Sequence, residues 1–501
     1  MSPRGKLTHK SEKSLLNPQR WGLTGKTIEE MPGRFDEFFK GFIECFGTKT
    51  WNNWQYAHIY LMGLLCMDTK RNFTAIGRAM NDPRDDGQNI QHFMSDSVWD
   101  AGRVFMEIQR QIKECPQLAG GALVIDGSSD GKKGKGAGVS RQYSGRLGKV
   151  DSCQTCVSIA YSKDNVRVMV DTDLYLPEEW FDDEHKRLWP SLHIPAAREL
   201  KTKLEIAKDM VLRAKDGGLP FSVVCCDDEF GGSHFFRRSL NRNGIIYVAD
   251  VPSKTLFYLE KPGIEVPENP PGRRGRRYLF PRPVCGRKPV HVKDLADCAG
   301  VKFERIKVRN SERGYLAYEM AFVRGWTVSR DNEVVEETLL IRRDSDGSCV
   351  YSLSNAPADT PCDVLAFWRS QRYFVERVFQ DAKSDLGWDE LVACKYRSWM
   401  HHVALVALGL WFVGLLLMAL RQDSERRKPS LCRQLRLNVL PSLSISSIRL
   451  MFQSALYFSV FEHEECLHVI MKTLINRANS TRCRLQKEHG EKIGKNSPGE
   501  S

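Results

Sequence analysis

Apolar positions recur three and four apart in three stretches near the start of the chain: Asp36–Phe46 (DEFFKGFIECF), Trp54–Met67 (WQYAHIYLMGLLCM) and Val98–Ile112 (VWDAGRVFMEIQRQI). That spacing predicts helices over residues 1–118, joined by polar connectors such as Asn81–Gly87. In the third stretch Val98, Ala101, Val104, Phe105, Ile108 and Ile112 form one face, and Ser97 with Asp100 resembles a capping box. From about 119 the period changes. Ala122–Asp126 (ALVID) is an apolar run that ends in an acid, followed by a Gly/Ser/Lys-rich loop over Gly127–Gly138. Strand-like runs follow at Cys156–Tyr161, Val166–Val170 and Phe221–Cys226, with a helix expected near 196–214. Strands alternating with helices predict an α/β core. Residues 253–361 then hold β-rich pieces, Lys302–Val308, Tyr315–Val323 and Glu336–Arg343, behind a Pro/Arg stretch at Pro270–Arg277. Helix resumes over Cys362–Arg421, and the remainder is basic with a polar tail, Lys487–Ser501, expected to be frayed.

One run tests the class of the protein. Val403–Leu420 is 18 apolar residues without a charge, the lower bound for a membrane span. Arg397, His401 and His402 precede it closely, and Ala404, Ala407, Gly409, Gly414 and Ala419 suit close helix contacts. We therefore expect a core helix buried on all sides. The composition, 42% hydrophobic and 27% charged, excludes wholesale disorder and low-complexity classes. The net charge of +12 points to a polyanionic partner, of which nucleic acid is the commonest. Fifteen scattered cysteines read as free thiols of a reducing cytoplasm. Cys153-Gln-Thr-Cys156 lacks the second pair that zinc would want, and the N-terminus lacks the apolar core of a signal peptide.

Two acids share one grammar. Asp126 closes the run Ala122–Ile125, and Asp227 closes Phe221–Cys226 in Asp227-Asp228-Glu229-Phe230-Gly231. Two such strands in one sheet would set two carboxylates side by side at the edge where ligands of α/β proteins gather. Like charges that close call for a cation between them, and all-oxygen ligation suits magnesium or manganese. A third candidate lies on a helix, where Arg372, Glu376 and Lys383 are spaced by four and seven and fall on one face. From spacing alone that face reads first as a surface ion-pair ladder, since exposed pairs four apart are common and weak.

These blocks together resemble the DDE transposases of bacterial insertion sequences, in the branch with a Y-x2-R-x3-E-x6-K signature. The stretch Leu123–Tyr161 resembles the first-acid block, CDDEFGG the second, and Ser354–Leu405 the third, so the resemblance runs from about Asn89 to about Arg421. It assigns the catalytic and metal-binding acids to Asp126, Asp227 and Glu376, and the signature cations to Arg372 and Lys383. Asp227 is preferred to Asp228 or Glu229 because Phe230-Gly231 then matches the family's aromatic-glycine pair. Two positions depart: Arg369 stands where the signature has tyrosine, and Gly127 follows the first acid. The resemblance implies an α/β, ribonuclease-H-like mixed sheet flanked by helices, with a β-rich insertion and an N-terminal helical domain. The expected organisation is 1–118 helical and DNA-end-binding, 119–252 and 362–425 the catalytic core, 253–361 the insertion, and 426–501 a basic region ending in a disordered tail.

The implied activity is cleavage of an element's ends and their joining to target DNA by metal-dependent phosphoryl transfer, with two Mg2+ per site and Mn2+ as a substitute. Implied partners are double-stranded DNA with terminal inverted repeats, target DNA and a second copy in a synaptic homodimer, in the nucleoid-associated cytoplasm and without a membrane. A catalytically inactive, DNA-binding descendant is the alternative. Arg372 and Lys383 would contact phosphates. Lys132 and Lys133 beside Asp126, and Arg273 and Arg274 in the Pro/Arg stretch, fit either DNA contacts or solvated basic loops. Trp326 reads as a core tryptophan before a base-stacking one, and His234, His401 and His402 as packing or DNA contacts. Asp171 and Asp173 compete as ligands on residue type but are set aside because DLYLP, which begins at Asp173, fits the turn after a hairpin strand.

Overall fold

The computed structural model describes residues 14–49, 51–132, 134–145, 148–267, 278–311, 314–425, 428–456, 458 and 461–495. They fall into two compact units, one of Met1–Ile108, Asn310–Leu316 and Gln380–Ser501, the other of Gln109–Arg309 and Ala317–Phe379.

The first unit is helical. Its centre is the helix Tyr396–Glu425, whose residues Val403–Leu408 are all fully buried, as Leu410–Val413 nearly are. By length and composition this helix could cross a membrane, but 78% of its apolar window is buried inside the protein. The helices Trp54–Cys66 and Ile445–Ala455 pack on it. Gly409 permits the closest approach, since a Cβ there would stand 3.2 Å from Leu386 and 3.4 Å from Leu61. Each fully buried Leu, Val or Phe contributes roughly 1.5–3 kcal/mol of hydrophobic stabilisation. Three polar side chains buried here find partners: Tyr60 and the Nδ1 of His402 lie 2.9 Å apart, and both His401 nitrogens face backbone carbonyls, of Met94 at 3.0 Å and Trp99 at 2.9 Å.

Two helix boundaries differ from expectation. The third N-terminal helix runs Ala101–Lys113, with Asp100 Oδ1 accepting from the Gly102 N–H at 2.9 Å, so Ser97 is not its cap. Val98 therefore precedes the helix and is 65% exposed, while Ala101, Val104, Phe105, Ile108 and Ile112 are buried as the face requires. The first stretch is broken at Gly41 into the helix Met31–Lys40 and a 3-10 turn, Ile43–Phe46.

The second unit is built on a mixed ten-stranded sheet. Its strands are β1 Gly121–Gly131, β2 Ser140–Ser144, β3 Lys149–Lys163, β4 Val166–Leu174, β5 Phe221–Cys226 and β6 Tyr247–Val251. They continue as β7 Glu304–Ser311, β8 Gly314–Val328, β9 Val334–Arg343 and β10 Cys349–Ser354. The order is β7-β8-β9-β10-β6-β5-β1-β3-β2, with β4 also paired to β3. β1, β5 and β6 are parallel neighbours, while β3 and β10 run antiparallel to the strands beside them. Leu123, Val124, Ile125, Val223, Val224 and Cys225 are at most 1% exposed, and such continuous burial suits parallel strands covered on both faces. Helices Lys203–Asp216, His234–Arg242 and Cys362–Ser370 flank the sheet. The first starts later than expected, because Thr202 and Glu205 form a reciprocal capping box.

Residues 253–361 hold two short strand pairs and β7–β10. These four strands extend the central sheet through the pairing of β10 with β6. Their inner face buries Leu339, Ile341 and Leu353 against Phe257, Val292 and Leu295. At the other end of the chain, the helix His463–Lys495 runs through much of the segment where a frayed tail is expected.

Candidate active site

Asp126 is the sixth of eleven residues in β1, so the expected loop after it begins as five more residues of strand. It pairs with Ser158 of β3. On its other side the β1–β5 register ends at Ile125 opposite Cys226, and the next residue of β5's chain is Asp227. The two acids thus leave adjoining parallel strands at the same level. Asp227 also caps the short helix Asp228–Gly231, its Oδ1 accepting from the Glu229 and Phe230 N–H groups at 3.1 and 3.4 Å. Gly231 is required there, since a Cβ would stand 2.1 Å from the Asp250 carbonyl oxygen.

Glu376 lies in the first turn of the helix Tyr373–Leu386, which buries Phe374, Val375 and Val378. Arg372 Nη2 reaches Glu376 Oε1 at 2.9 Å, and Arg372 Nε lies 3.4 Å from Asp250. Burial pushes the Asp126 carboxyl up to about 7, and the charges of Asp227 and Glu376 add to it against the Gly127 N–H and Arg372. Burial likewise raises Asp227 to about 6, with the charge of Glu229 next. The other two expected acids, Asp227 and Glu376, are thus within electrostatic reach of Asp126.

The expected cations divide. Arg372 stands between Asp250 and Glu376. Lys383 is two turns further along the helix and belongs to the helical unit, where its ammonium lies 5.1 Å from the Trp388 ring centre. Lys132 continues the edge of β1, its N–H donating to the Ser152 carbonyl at 3.2 Å. Lys133, Arg273 and Arg274 lie outside the described residues.

The rejected acids are ion-paired, Asp171 with Arg213 and Asp173 with Arg198, each at 2.7 Å. Cys153 and Cys156 are three apart in β3, an odd spacing that sends their thiols to opposite faces. Trp326 is half-buried and its backbone bridges to Tyr258.

One carboxylate escaped the sequence reading. Asp250 closes the apolar run of β6 in the same manner as Asp126 and Asp227, and it accepts from Arg369 and from Ser352. Arg369, at the position where the expected signature would have tyrosine, is buried, 3.2 Å from Asp250, with its Nε donating to Ser352 Oγ at 2.8 Å. Glu229 binds Lys203 at 2.7 Å and lies close to Gly127.

Among the described residues no three His, Cys, Asp or Glu side chains stand ready as a cage for one ion. The donor chemistry still fits a hard divalent cation: two carboxyl groups raised by burial and like charge on adjoining strands are what such an ion relieves.

A family model described as DDE superfamily endonuclease matches residues 41–314. The chain belongs to that family. The match contains Asp126 and Asp227 and stops before Glu376. The chain is also 23% identical over 378 residues to the probable transposase for insertion sequence element IS701 of Microchaete diplosiphon, covering 72% of this chain and 82% of that protein. The mixed sheet flanked by helices is consistent with the ribonuclease-H-like fold of DDE endonucleases.

Proposed function

We propose that this chain is an insertion-sequence transposase of the branch with the Y-R-E-K signature, which cleaves the ends of its element and joins them to target DNA. The observation that carries the reading is the pair Asp126 and Asp227 on adjoining parallel strands, with Glu376 and Arg372 in charge contact beside them. Bound Mg2+ or Mn2+ would supply activation of a hydroxyl nucleophile and stabilisation of the leaving oxygen. Asp126, Asp227 and Glu376 hold those ions in this reading. Arg372, steered by Asp250 and Glu376, orients a phosphate of the scissile strand, and Lys383, Lys132, Lys133, Arg273 and Arg274 contact phosphates further away.

The assignment of regions follows. Residues 1–118 bind the element's end, 119–252 with 362–425 form the catalytic core, 253–361 are a β-rich insertion into it, and 426–501 add a basic C-terminal region. Two copies act together on two terminal inverted repeats. The second reading is a descendant that binds DNA without cutting it.

Asp126→Asn, Asp227→Asn and Glu376→Gln test the two readings against each other. Each should abolish cleavage of end-bearing DNA while leaving end binding largely intact. Wild-type cleavage by any one of them removes that residue from the site, and a wild-type protein that binds but never cuts leaves the descendant reading.

A further inference from the structure

Between Gly131 and Val150 the chain carries six cations, Lys132, Lys133, Lys135, Arg141, Arg146 and Lys149, and no acid. This segment contains β2 and leads into β3, which pair as a hairpin with Tyr143 opposite Val150 and Arg141 opposite Ser152. Residues directly opposite in an antiparallel pair project to the same side, and the side alternates along each strand. Arg141, Tyr143, Val150 and Ser152 therefore share one face, and all four are exposed, Tyr143 by 65% and Val150 by 52%. On the opposite face Ser140, Ser144 and Cys153 are buried, and Lys149 pairs with Asp151 at 2.9 Å.

The hairpin does not project freely. Ser144 Oγ lies 2.7 Å from Ser129 Oγ, and Ser129 is three residues beyond Asp126 in β1. At about 3.3 Å per residue, that contact is about 10 Å along the strand from the first acid. An exposed aromatic and β-branched pair that shares its face with Arg141, in a segment rich in cations and docked beside β1, needs a partner that is both polyanionic and able to take apolar contact. A second copy of a chain with net charge +12 is a poor match. Duplex DNA meets both needs, with phosphates for the cations and sugar edges and base faces for the ring.

We propose that the β2–β3 hairpin is a DNA clamp, in which Arg141 takes a phosphate and Tyr143 with Val150 enters the groove of the duplex held at Asp126. At 3.4 Å per base pair, the contact falls about three to five base pairs from the cut phosphate. This rests on the transposase reading and adds to it a specific contact that positions the duplex.

The test uses the full chain and a duplex carrying one end of its element, in a salt series of binding measurements and a hydroxyl-radical footprint. Arg141→Ala lowers the slope of log affinity against log salt by about one. Tyr143→Ala weakens binding by about 5- to 100-fold, and Tyr143→Phe restores it. Both alanine variants lose protection only about three to five base pairs from the cut. Because both side chains are exposed, thermal unfolding of the variants stays at the wild-type temperature. A wild-type footprint and salt slope in both variants, with cutting intact, overturn the clamp and leave the transposase reading standing. A change in oligomeric state without a change in footprint assigns the hairpin to subunit contact and also overturns it. Failure of the wild-type protein to bind the end duplex at all overturns both.

Discussion

The buried cluster around Glu337 gives the most quantitative test of the sheet unit. Glu337 on β9 is completely buried and faces two guanidinium groups, Arg237 Nε at 3.3 Å and Arg238 Nη1 at 3.7 Å, themselves at most 3% exposed. It also accepts from the Tyr247 hydroxyl at 2.5 Å and from Thr327. Burial pushes its carboxyl up, but Arg237 and Arg238 outweigh that and hold it below the usual glutamate value. Among the described residues Arg237 Nε and Arg238 Nε and Nη1 have no hydrogen-bond acceptor, so the cluster already holds one cation more than its acid balances. Glu337→Ala strands two buried cations, and breaking a buried pair in this way costs about 3–5 kcal/mol. At roughly 2–4 °C per kcal/mol for a unit of this size, the melting temperature falls by about 6–20 °C. Glu337→Gln keeps an oxygen for Tyr247 and Thr327 but not the charge, and should lose about half as much. The assay is urea and thermal unfolding of the full chain, with the transition of each unit followed separately. A loss below about 1 kcal/mol in Glu337→Ala would refute the reasoning, because it would mean that the two guanidinium groups reach water.

Three further outcomes are expected. His234 accepts from Arg237 at 3.4 Å, and burial, then Arg237 and Arg238, lower its pKa to about 4. Its folded value lies below the ordinary 6.5, so its stabilisation is complete above that pH and is lost as pH falls towards 4. That is about 2 kcal/mol by pH 5, which denaturant midpoints should show in the wild type and not in His234→Gln. Gly231→Ala drives a methyl group against the Asp250 carbonyl and the Ala249 Cβ, costing about 1–3 kcal/mol and displacing the turn that carries Asp227; unchanged melting and unchanged cleavage would count against the close approach. Arg372→Ala should weaken strand transfer and lower the salt slope of end binding by about one, and an unchanged slope would leave Arg372 as a partner of Asp250 and Glu376 only.

How far these features could be read beforehand depended on whether their cause was local. The apolar runs that close at Asp126 and Asp227 were legible because a buried parallel strand needs a continuous apolar run and an acid breaks it. The pairing of Arg372 with Glu376 follows from their spacing of four, with Arg372 standing just before the helix Tyr373–Leu386. The burial of Val403–Leu420 could be weighed only from its flanks and its small residues, since a core helix and a membrane span are alike in overall composition. Gly127–Gly131 was read as a loop, because glycine and serine suit loops, yet pairing with β3 holds them in a strand. The same grammar that marked Asp126 and Asp227 would have marked Asp250, whose partner Arg369 occupies the signature's tyrosine position. The extension of the central sheet by β7–β10 depends on the pairing of β10 with β6, about a hundred residues apart in sequence, and no local pattern reports that. Ser144 against Ser129 is a contact of the same non-local kind.

The central claim is that Asp126, Asp227 and Glu376 form one metal-dependent site for cutting DNA. Its most direct measurement is incubation of the purified chain with DNA bearing both ends of its own element, in Mg2+ and in EDTA, beside Glu376→Gln. The account predicts cuts at the ends that require Mg2+ and vanish in the variant. End binding without cutting in either Mg2+ or Mn2+, or cutting that persists in Glu376→Gln, would contradict it.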